Sequence, residues 1–264
     1  MMKILLKILT LLILLLLQNA LNSKKAYAES ETAWQFTAGV GVITSQQPWL
    51  DANNLNSVGP LLDINYGKWN FFGGGFISYT LLQDDDFAIS AGIDYRDEGF
   101  GSNLFTQKSN SDNPVFDGYQ TPDEELVANI NIQWNSFSAS IQQDISNTSK
   151  GLVIEAGLSL PLYDSGDKFS LSAKVGFRWL SEDYVQHIYG ITGEQIDETV
   201  GRNEYFASSA LNPVLSIQGN YVVSQNWLIN TGAEFVKLDD AIFDSPLVGR
   251  QEIFQLFVGG IYIF

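Results

Sequence analysis

The feature that most constrains this chain is a strict alternation of apolar and polar residues, clearest over positions 168–180. Within that segment one set of alternate positions is apolar: Phe169, Leu171, Ala173, Val175, Phe177 and Trp179. The positions between them are polar or glycine: Lys168, Ser170, Ser172, Lys174, Gly176 and Arg178. A period of two is that of a β-strand, whose successive side chains point to opposite faces.

The same alternation recurs along nearly the whole chain, in segments of about ten residues, which is typical of membrane-spanning β-barrels with lipid outside and polar groups inside. The sequence therefore predicts an all-β fold, a transmembrane antiparallel up-and-down β-barrel of 10–12 strands. The count stays open around 67–75. Single-chain bacterial barrels have even strand numbers. If 58–82 is one long strand the barrel has ten, and if a further strand lies there it has twelve.

The connections between strands alternate in length. Short turns are predicted at 83–86, 135–136, 163–167 and 224–226, and longer segments at 97–123, 146–150, 181–206 and 239–250. Outer-membrane barrels have short periplasmic turns and longer extracellular loops. The long segments are rich in Asp, Asn, Gly and Ser, so we expect them to be solvated loops on the outer side.

The first 28 residues have the composition of an export signal. Lys3 and Lys7 form a basic start, residues 8–17 are almost entirely apolar, and 26–28 read Ala-Tyr-Ala, a pattern typical of a cleaved signal peptide. The apolar run is shorter than the roughly 20 residues of a spanning helix. We therefore predict a signal peptide at 1–28 and a barrel at 29–264, exported through the periplasm to the cell outer membrane.

Composition excludes several classes of function. The chain has 30 acidic and 14 basic residues and a net charge of −16, which argues against nucleic-acid binding. It has no cysteine, so disulfides, thiolate metal sites and cysteine nucleophiles are excluded. A mean hydropathy of +0.01 is too low for a helical membrane protein but suits a barrel, in which only alternate residues face lipid.

Charged residues on the polar faces of the strands predict a filled lumen. An unpaired charge in a narrow, poorly hydrated space is costly, so we expect ion pairs and hydrogen bonds among them. A barrel of about eight strands has room only for side chains and one of about 16–18 holds a channel, so a barrel between these sizes favours a plugged lumen. The predicted lumen network comprises Asp94, Arg96, Asp144, Glu155, Lys168, Lys174, Arg178 and Glu234.

Two features of the long loops are candidate chemical sites. His187, the only histidine, is a candidate general base for an outer-rim hydrolase, with Ser208 or Ser209 as the nucleophile. A solvated loop histidine is the favoured interpretation, so no catalytic residue is assigned and the protein is predicted not to be an enzyme. Acidic residues in the loops are candidate ligands for Ca²⁺ or Mg²⁺: Glu182, Asp183, Asp197, Glu198, Asp239, Asp240 and Asp244. Their spacing matches no calcium-binding loop, so neither a metal nor a cofactor is predicted.

The C-terminus resembles the signal by which the outer-membrane assembly machinery recognises its clients. Gly259, Tyr262 and Phe264 carry that pattern. The alternative interpretation is a terminal strand with interfacial aromatic residues. Both place the strand in the same membrane.

From about Asp144 to the end, and more loosely from Trp34, the chain resembles the MipA/OmpV family of MltA-interacting outer-membrane proteins. The features that carry the resemblance are ordered along the chain: Asp144-Ile145-Ser146, Gly151, Trp179, Ile188-Tyr189-Gly190-Ile191, Tyr221-x-Val223-x-x-Asn226-Trp227, Asp244-Ser245-Pro246-Leu247-Val248 and Phe257-x-Gly259-Gly260-Ile261-x-Ile263-Phe264. At residues 188–191 the family typically shows Tyr-Tyr-Gly-Val, and Ile188 departs from the first position of that motif.

The resemblance implies a scaffold that joins a lytic transglycosylase to a peptidoglycan synthase, in a barrel surrounded by outer-membrane lipid and lipopolysaccharide. Two alternatives remain open at this point. One is a narrow channel for small solutes, and the other is the rim hydrolase centred on His187.

Overall fold

The computed structural model describes residues 33–73, 76–101, 103–104, 107–108, 110–166 and 168–264. The predicted signal peptide at 1–28 lies outside the described residues, and so does Asp167. No helix within these ranges is long and apolar enough to cross a bilayer.

Twelve antiparallel strands form a closed barrel. This number is the upper end of the predicted range of 10–12. Two further strands, β6 and β7, form a small separate hairpin. The strands in chain order are β1 Trp34–Ser45, β2 Leu55–Tyr66, β3 Trp69–Phe71, β4 Ile77–Gln83, β5 Phe87–Arg96, β6 Asn103–Leu104, β7 Gln107–Lys108, β8 Glu125–Trp134, β9 Phe137–Asp144, β10 Leu152–Asp164, β11 Phe169–Leu180, β12 Ala210–Val222, β13 Trp227–Lys237 and β14 Glu252–Ile263.

The strand that the sequence left open is β3, which has only three residues. It turns back from β2 at Gly67-Lys68 and pairs with β2 and β4 through Trp69, Asn70 and Phe71. Three residues are too few to show an alternating pattern, which explains why ten and twelve strands could not be separated. The barrel closes where β1 pairs with β14, for example Gly41 with Gly259.

Side chains alternate between lipid and lumen as the sequence predicts. On β11, Val175 is exposed toward lipid and Leu180 is buried inside. The inward positions of β8 and β9 carry amides and hydroxyls such as Asn129, Asn131 and Ser140. The turns at 84–86, 135–136 and 223–226 are short, and since outer-membrane barrels have short periplasmic turns, we take their end of the barrel as the periplasmic end.

The prediction that the outer loops are solvated is wrong for much of their length. The largest hydrophobic core of the described residues lies in these loops and at the outer ends of the strands. Two helices belong to it, α1 (Glu182–Tyr189) and α2 (Asp240–Phe243), and so does a 3₁₀ turn at Pro114–Phe116. We call this assembly the outer cap: residues 46–54, 110–124, 181–209 and 238–251.

Candidate functional site: the outer cap and the ion pairs beneath it

Helix α1 lies at the centre of the outer cap. Ser181 begins it by accepting a hydrogen bond from the Tyr184 backbone N–H (3.4 Å), and its hydroxyl also accepts one from Leu152 N–H (2.9 Å), which ties the helix to β10. Asp183 and Glu182 lie in the first turn, where negative charge is favoured. The helix buries one face, formed by Tyr184, Val185, Ile188 and Tyr189.

Residues from other loops complete the core around this face. Trp49 packs on Tyr189, with ring centroids 5.3 Å apart, and on Phe100 at 5.8 Å. Ile242 of α2 and Leu247 are fully buried. The Ser245 hydroxyl donates to the carbonyl of Tyr189 (2.7 Å) and so joins α1 to the last outer loop.

A buried arginine fastens a second part of the outer cap. Arg202 donates to the carbonyls of Val115 (2.5 Å) and Asp117 (3.0 Å), and its guanidinium lies 6.0 Å from the ring centre of Tyr119. Burial raises the pKa of Tyr119 to about 12, although Arg202 opposes that shift. Tyr119 therefore stays neutral at physiological pH.

Directly beneath the outer cap, one ion pair is fully enclosed. Arg96 at the end of β5 pairs with Glu125 at the start of β8 at 2.6 Å, and their side chains are 5% and 2% exposed. Ser149 also donates a hydrogen bond to Glu125. The guanidinium of Arg96 lies 4.2 Å from the ring centre of Tyr184, a distance at which a cation and an aromatic face attract.

A second cluster joins the barrel wall to the same tyrosine. Arg178 Nη2 lies 2.5 Å from Glu98 Oε1, and the Tyr184 hydroxyl donates to Glu98 Oε2 (2.6 Å). Arg178 Nε lies 3.1 Å from Glu155 Oε1 without hydrogen-bond alignment, so that nitrogen stays unsatisfied. Burial alone would raise the pKa of Glu98, but Arg178 and its hydrogen bonds hold it below the ordinary value.

The eight predicted lumen residues separate into three groups. Arg96, Glu155 and Arg178 make the ion pairs just described. Lys174 and Glu234 lie deeper in the lumen and line two cavities of about 280 and 270 Å³, each with both polar and apolar lining residues. The other three make neither kind of contact. Asp94 accepts a hydrogen bond from the backbone N–H of Tyr95, and Asp144 accepts hydrogen bonds from Ser146 and Lys150 in the loop above it. Lys168 is exposed in a periplasmic turn.

Sequence reasoning missed Glu98, Glu125 and Tyr184, the three residues that connect the arginines. Glu125 could have been found, because it has the same inward parity as Asn129 and Asn131. Glu98 lies beyond the end of β5, and Tyr184 lies in a helix. Neither position carries a strand pattern, so no sequence signal marked them.

The candidate catalytic and metal-binding residues of the loops make structural contacts. His187 Nε2 lies 3.0 Å from the backbone carbonyl of Asp123. A carbonyl only accepts, so this nitrogen carries the proton and is not free to act as a base. Asp197 and Asp239 cap helical turns by accepting from the N–H groups of Thr199 and Ala241. Within the described ranges, no group of three or more acidic or histidine residues is placed to hold a metal ion.

The proposed assembly signal lies at the seam of the barrel. Tyr262 faces lipid and packs on Trp227 and Phe264, with ring centroids 5.2 and 4.8 Å apart. Gly259 faces the lumen, and the N–H of Phe264 donates to the carbonyl of Phe36 (3.0 Å). Recognition of these residues by the assembly machinery stays a prediction.

Comparison with known proteins shows the family. The family described as MltA-interacting protein MipA matches residues 37–264. The chain belongs to the MltA-interacting protein MipA family. This confirms the resemblance drawn from the sequence, and several of the loop residues that carried it, including Tyr189, Ile191 and Leu247, lie in the core of the outer cap.

Relatives within reach of sequence comparison are similar over most of their length. The MltA-interacting protein of Escherichia coli (strain K12) is 24% identical over 251 residues, covering 91% of this chain and 94% of that protein. The outer membrane protein YiaT of the same organism is 21% identical over 237 residues, covering 88% and 92%. The protein is therefore an outer-membrane member of the MipA family.

Solved structures share only the broad architecture. The COG4313 outer membrane channel of Pseudomonas putida F1 has a TM-score of 0.38 at 10% identity, covering 91% of this chain and 100% of that chain. The outer membrane protein OprD of Pseudomonas aeruginosa has a TM-score of 0.33 at 8% identity, covering 90% and 96%. At these values neither carries an argument about function.

Proposed function

We propose that this protein is a non-conducting scaffold of the outer membrane that engages peptidoglycan-remodelling enzymes through its periplasmic turns, and that it is not an enzyme. The observation that carries the proposal is the closed outer end. Loops that would form an entrance in a channel instead share one buried core, with Ile242, Val185 and Leu247 fully enclosed.

The ion pairs beneath the outer cap support the same proposal. Arg178 of β11 pairs with Glu98, which follows β5, and Tyr184 of α1 contacts both Glu98 and Arg96 just below the outer cap. Opening a wide path would require separating Arg178 from Glu98 and moving Tyr184 away from both clusters. A barrel closed in this way offers its periplasmic turns as the surface for function in the cell envelope.

The partner class comes from the relative named MltA-interacting protein, which is similar over nearly the whole of both chains. We propose a lytic transglycosylase as one partner and a peptidoglycan synthase as the second. We also propose that the barrel contacts the surrounding lipid and lipopolysaccharide. The outer-membrane assembly machinery is a further proposed partner, and it would recognise Gly259, Tyr262 and Phe264.

The test is binding of the purified barrel, in detergent, to a purified lytic transglycosylase of the same cell. Asp85 and Asp86 are exposed in a periplasmic turn, so the variant Asp85→Asn/Asp86→Asn should weaken binding at low salt more than at high salt. The matched control is Glu194→Gln/Glu204→Gln, at exposed residues of the outer cap, which should bind like the natural protein. No binding by the natural protein, or equal loss in both variants, would contradict a periplasmic docking face.

A narrow solute channel is the second candidate, and the two lumen cavities below the outer cap favour it. Planar-bilayer recording separates the two functions. We expect little or no steady current from the purified protein. Stable openings of porin size would favour the channel and would contradict a closed outer end.

A further inference from the structure

One row of inward-facing polar residues crosses neighbouring strands in the middle of the barrel. The pairing register places Gln255 of β14, Glu234 of β13, Ser216 of β12, Lys174 of β11 and Ser159 of β10 side by side. Within the part of the chain that the structure describes, none of these side chains makes a hydrogen bond or an ion pair. We call them the polar row. It presents a carboxylate, an ammonium group, an amide and two hydroxyls to the lumen.

Other polar groups on the same strands bond to one another. Above the polar row, Arg178 of β11 lies 2.5 Å from Glu98. Below it, the amide of Asn230 donates to Asn220, which in turn donates to Ser170 (3.3 Å). A polar group in a poorly hydrated lumen costs free energy unless water, protein or a ligand bonds to it. The polar row therefore has hydrogen-bonding capacity that these neighbours have already used.

Two cavities lie along the polar row, and their linings differ. Glu234 lines the cavity of about 270 Å³ together with Gln255 and with the apolar side chains of Ile43 and Phe257. Lys174 lines the cavity of about 280 Å³, where serine, asparagine and glutamine side chains of β5, β8 and β9 surround it. The carboxylate therefore lies beside an apolar surface, and the ammonium group lies among hydroxyls and amides.

The two charges of the polar row are held apart. Glu234 and Lys174 lie two strands from each other with Ser216 between them, which places their Cα atoms about 10 Å apart at the usual strand spacing. The lysine side chain lies over Gly157 of β10, on the side away from Glu234, because a Cβ at Gly157 would be 2.7 Å from Lys174 Cε. A ligand that satisfies both charges must therefore carry a positive and a negative end several ångströms apart.

We propose that the polar row binds a short peptide in its zwitterionic form. The N-terminal ammonium group donates to Glu234, and the C-terminal carboxylate accepts from Lys174. An extended dipeptide spans about 7 Å, and a charge-assisted hydrogen bond adds about 2.8 Å at each end, which is the scale of the separation between the two side chains. An apolar side chain on the first residue packs on Ile43 and Phe257, and the Ser216 hydroxyl bonds to the peptide group.

In this proposal the peptide enters from the periplasmic end, since the outer cap covers the other end. The exposure of inward side chains on β8 rises in that direction, from Asn129 at 4% through half-buried Asn131 to exposed Gln133. Peptide binding goes beyond the scaffold function and does not depend on it. Its failure would leave the binding of a lytic transglycosylase untouched.

The experiment is isothermal titration calorimetry of the purified barrel, in a non-ionic detergent, with L-leucylglycine. Two analogues each remove one charge: N-acetyl-leucylglycine lacks the ammonium group, and leucylglycine amide lacks the carboxylate. Each should bind about tenfold more weakly or worse, since each loses a hydrogen bond between charged groups. Glycylglycine keeps both charges but lacks the apolar side chain, so it should also bind more weakly than leucylglycine.

Two nearly isosteric variants assign each charge to its partner. Glu234→Gln should weaken leucylglycine binding about tenfold and remove the discrimination against the acetylated peptide, while discrimination against the amide remains. Lys174→Gln should show the reverse pattern. The matched control is Asp94→Asn, which removes an inward carboxylate of β5 that lines neither cavity and should bind leucylglycine like the natural protein.

No binding of leucylglycine by the natural protein at millimolar concentration would overturn the proposal. Equal affinity for leucylglycine and its two analogues would overturn it as well, and this comparison needs no variant, so it decides the question even if a substituted barrel does not fold. If Asp94→Asn weakened binding as much as Glu234→Gln, the total charge of the lumen would control the affinity, and the polar row would not be the site.

Discussion

The barrel wall and the outer cap obey different rules of construction. In the wall, lipid supplies half of the surroundings of every strand, so a residue's environment follows from its parity alone. In the outer cap, water surrounds the loops, and a core forms only because distant segments such as Trp49, Tyr189 and Val248 meet. Local pattern is therefore enough to specify the wall, whereas the outer cap depends on contacts between residues far apart in the chain.

The largest expected effect lies where the two regions join. Arg96→Met leaves the enclosed carboxylate of Glu125 without its partner, and breaking a buried pair in this way costs about 3–5 kcal/mol. The measurement is equilibrium unfolding in lipid vesicles. We expect the double variant Arg96→Met/Glu125→Met to recover most of the loss, since no unpaired charge remains. A single variant as stable as the natural protein would show that the outer cap and the wall fold independently of this pair.

A smaller effect tests the wall by itself. Val175 faces lipid and Lys174 faces the lumen on β11. Val175→Arg should reduce the free energy of unfolding by about 2–4 kcal/mol, the cost of arginine in the middle of the bilayer. Lys174→Gln should cost less, about 1–3 kcal/mol if a buried partner is left unpaired. The reverse order in vesicle unfolding would mean that the lumen contacts of this strand matter more than its lipid face.

The sequence allowed prediction of those parts of the molecule whose pattern is local. Strands such as β8 and β11 carry alternation over their full length, whereas ten and twelve strands both stayed open because the pattern around 67–75 did not decide between them. The outer cap could not be foreseen from residues rich in Asp, Asn and Gly, because its apolar residues are spread over several loops. Of the candidate site, Arg96, Arg178 and Glu155 were predicted from parity, whereas Glu98 and Tyr184 come from segments without periodicity.

A matched pair of substitutions compares the two regions directly. Ile242→Val removes one methyl group from the buried core of the outer cap and should cost about 0.5–1.5 kcal/mol. Ile229→Val makes the same change on the lipid face of β13, where lipid fills the space, so it should cost only the transfer of one methylene group, about 0.8 kcal/mol, with no cavity cost added. Equilibrium unfolding in lipid vesicles measures the cost of each substitution, and hydrogen exchange of the outer-cap amides shows whether the cost falls in the outer cap. Equal costs would mean that the outer cap packs no more tightly than lipid packs on the wall.

The smallest expected effect is a pH dependence confined to the outer cap. Arg178 and the hydroxyl of Tyr184 hold the pKa of Glu98 below its ordinary value, so ionised Glu98 stabilises the folded form. That contribution is present above the ordinary carboxyl pKa of about 4.3 and is lost as the pH falls through the lower, folded value. The Glu98 side chain is 37% exposed, so solvent screening should keep the effect below about 1 kcal/mol.

Hydrogen exchange of α1 and its neighbours, followed from neutral to acid pH, checks this prediction. The outer-cap amides should lose protection at acid pH, while amides of β1 and β14, which lie at least three strands away from both β5 and β11 in the pairing order, should not. Glu98→Gln removes the titrating group, so the variant should lack this pH dependence and show weaker protection already at neutral pH. If the natural protein and the variant lose protection in parallel, another carboxylate controls the outer cap. If the wall opens at the same pH as the outer cap, the two regions form one cooperative unit, and the distinction between them does not extend to their stability.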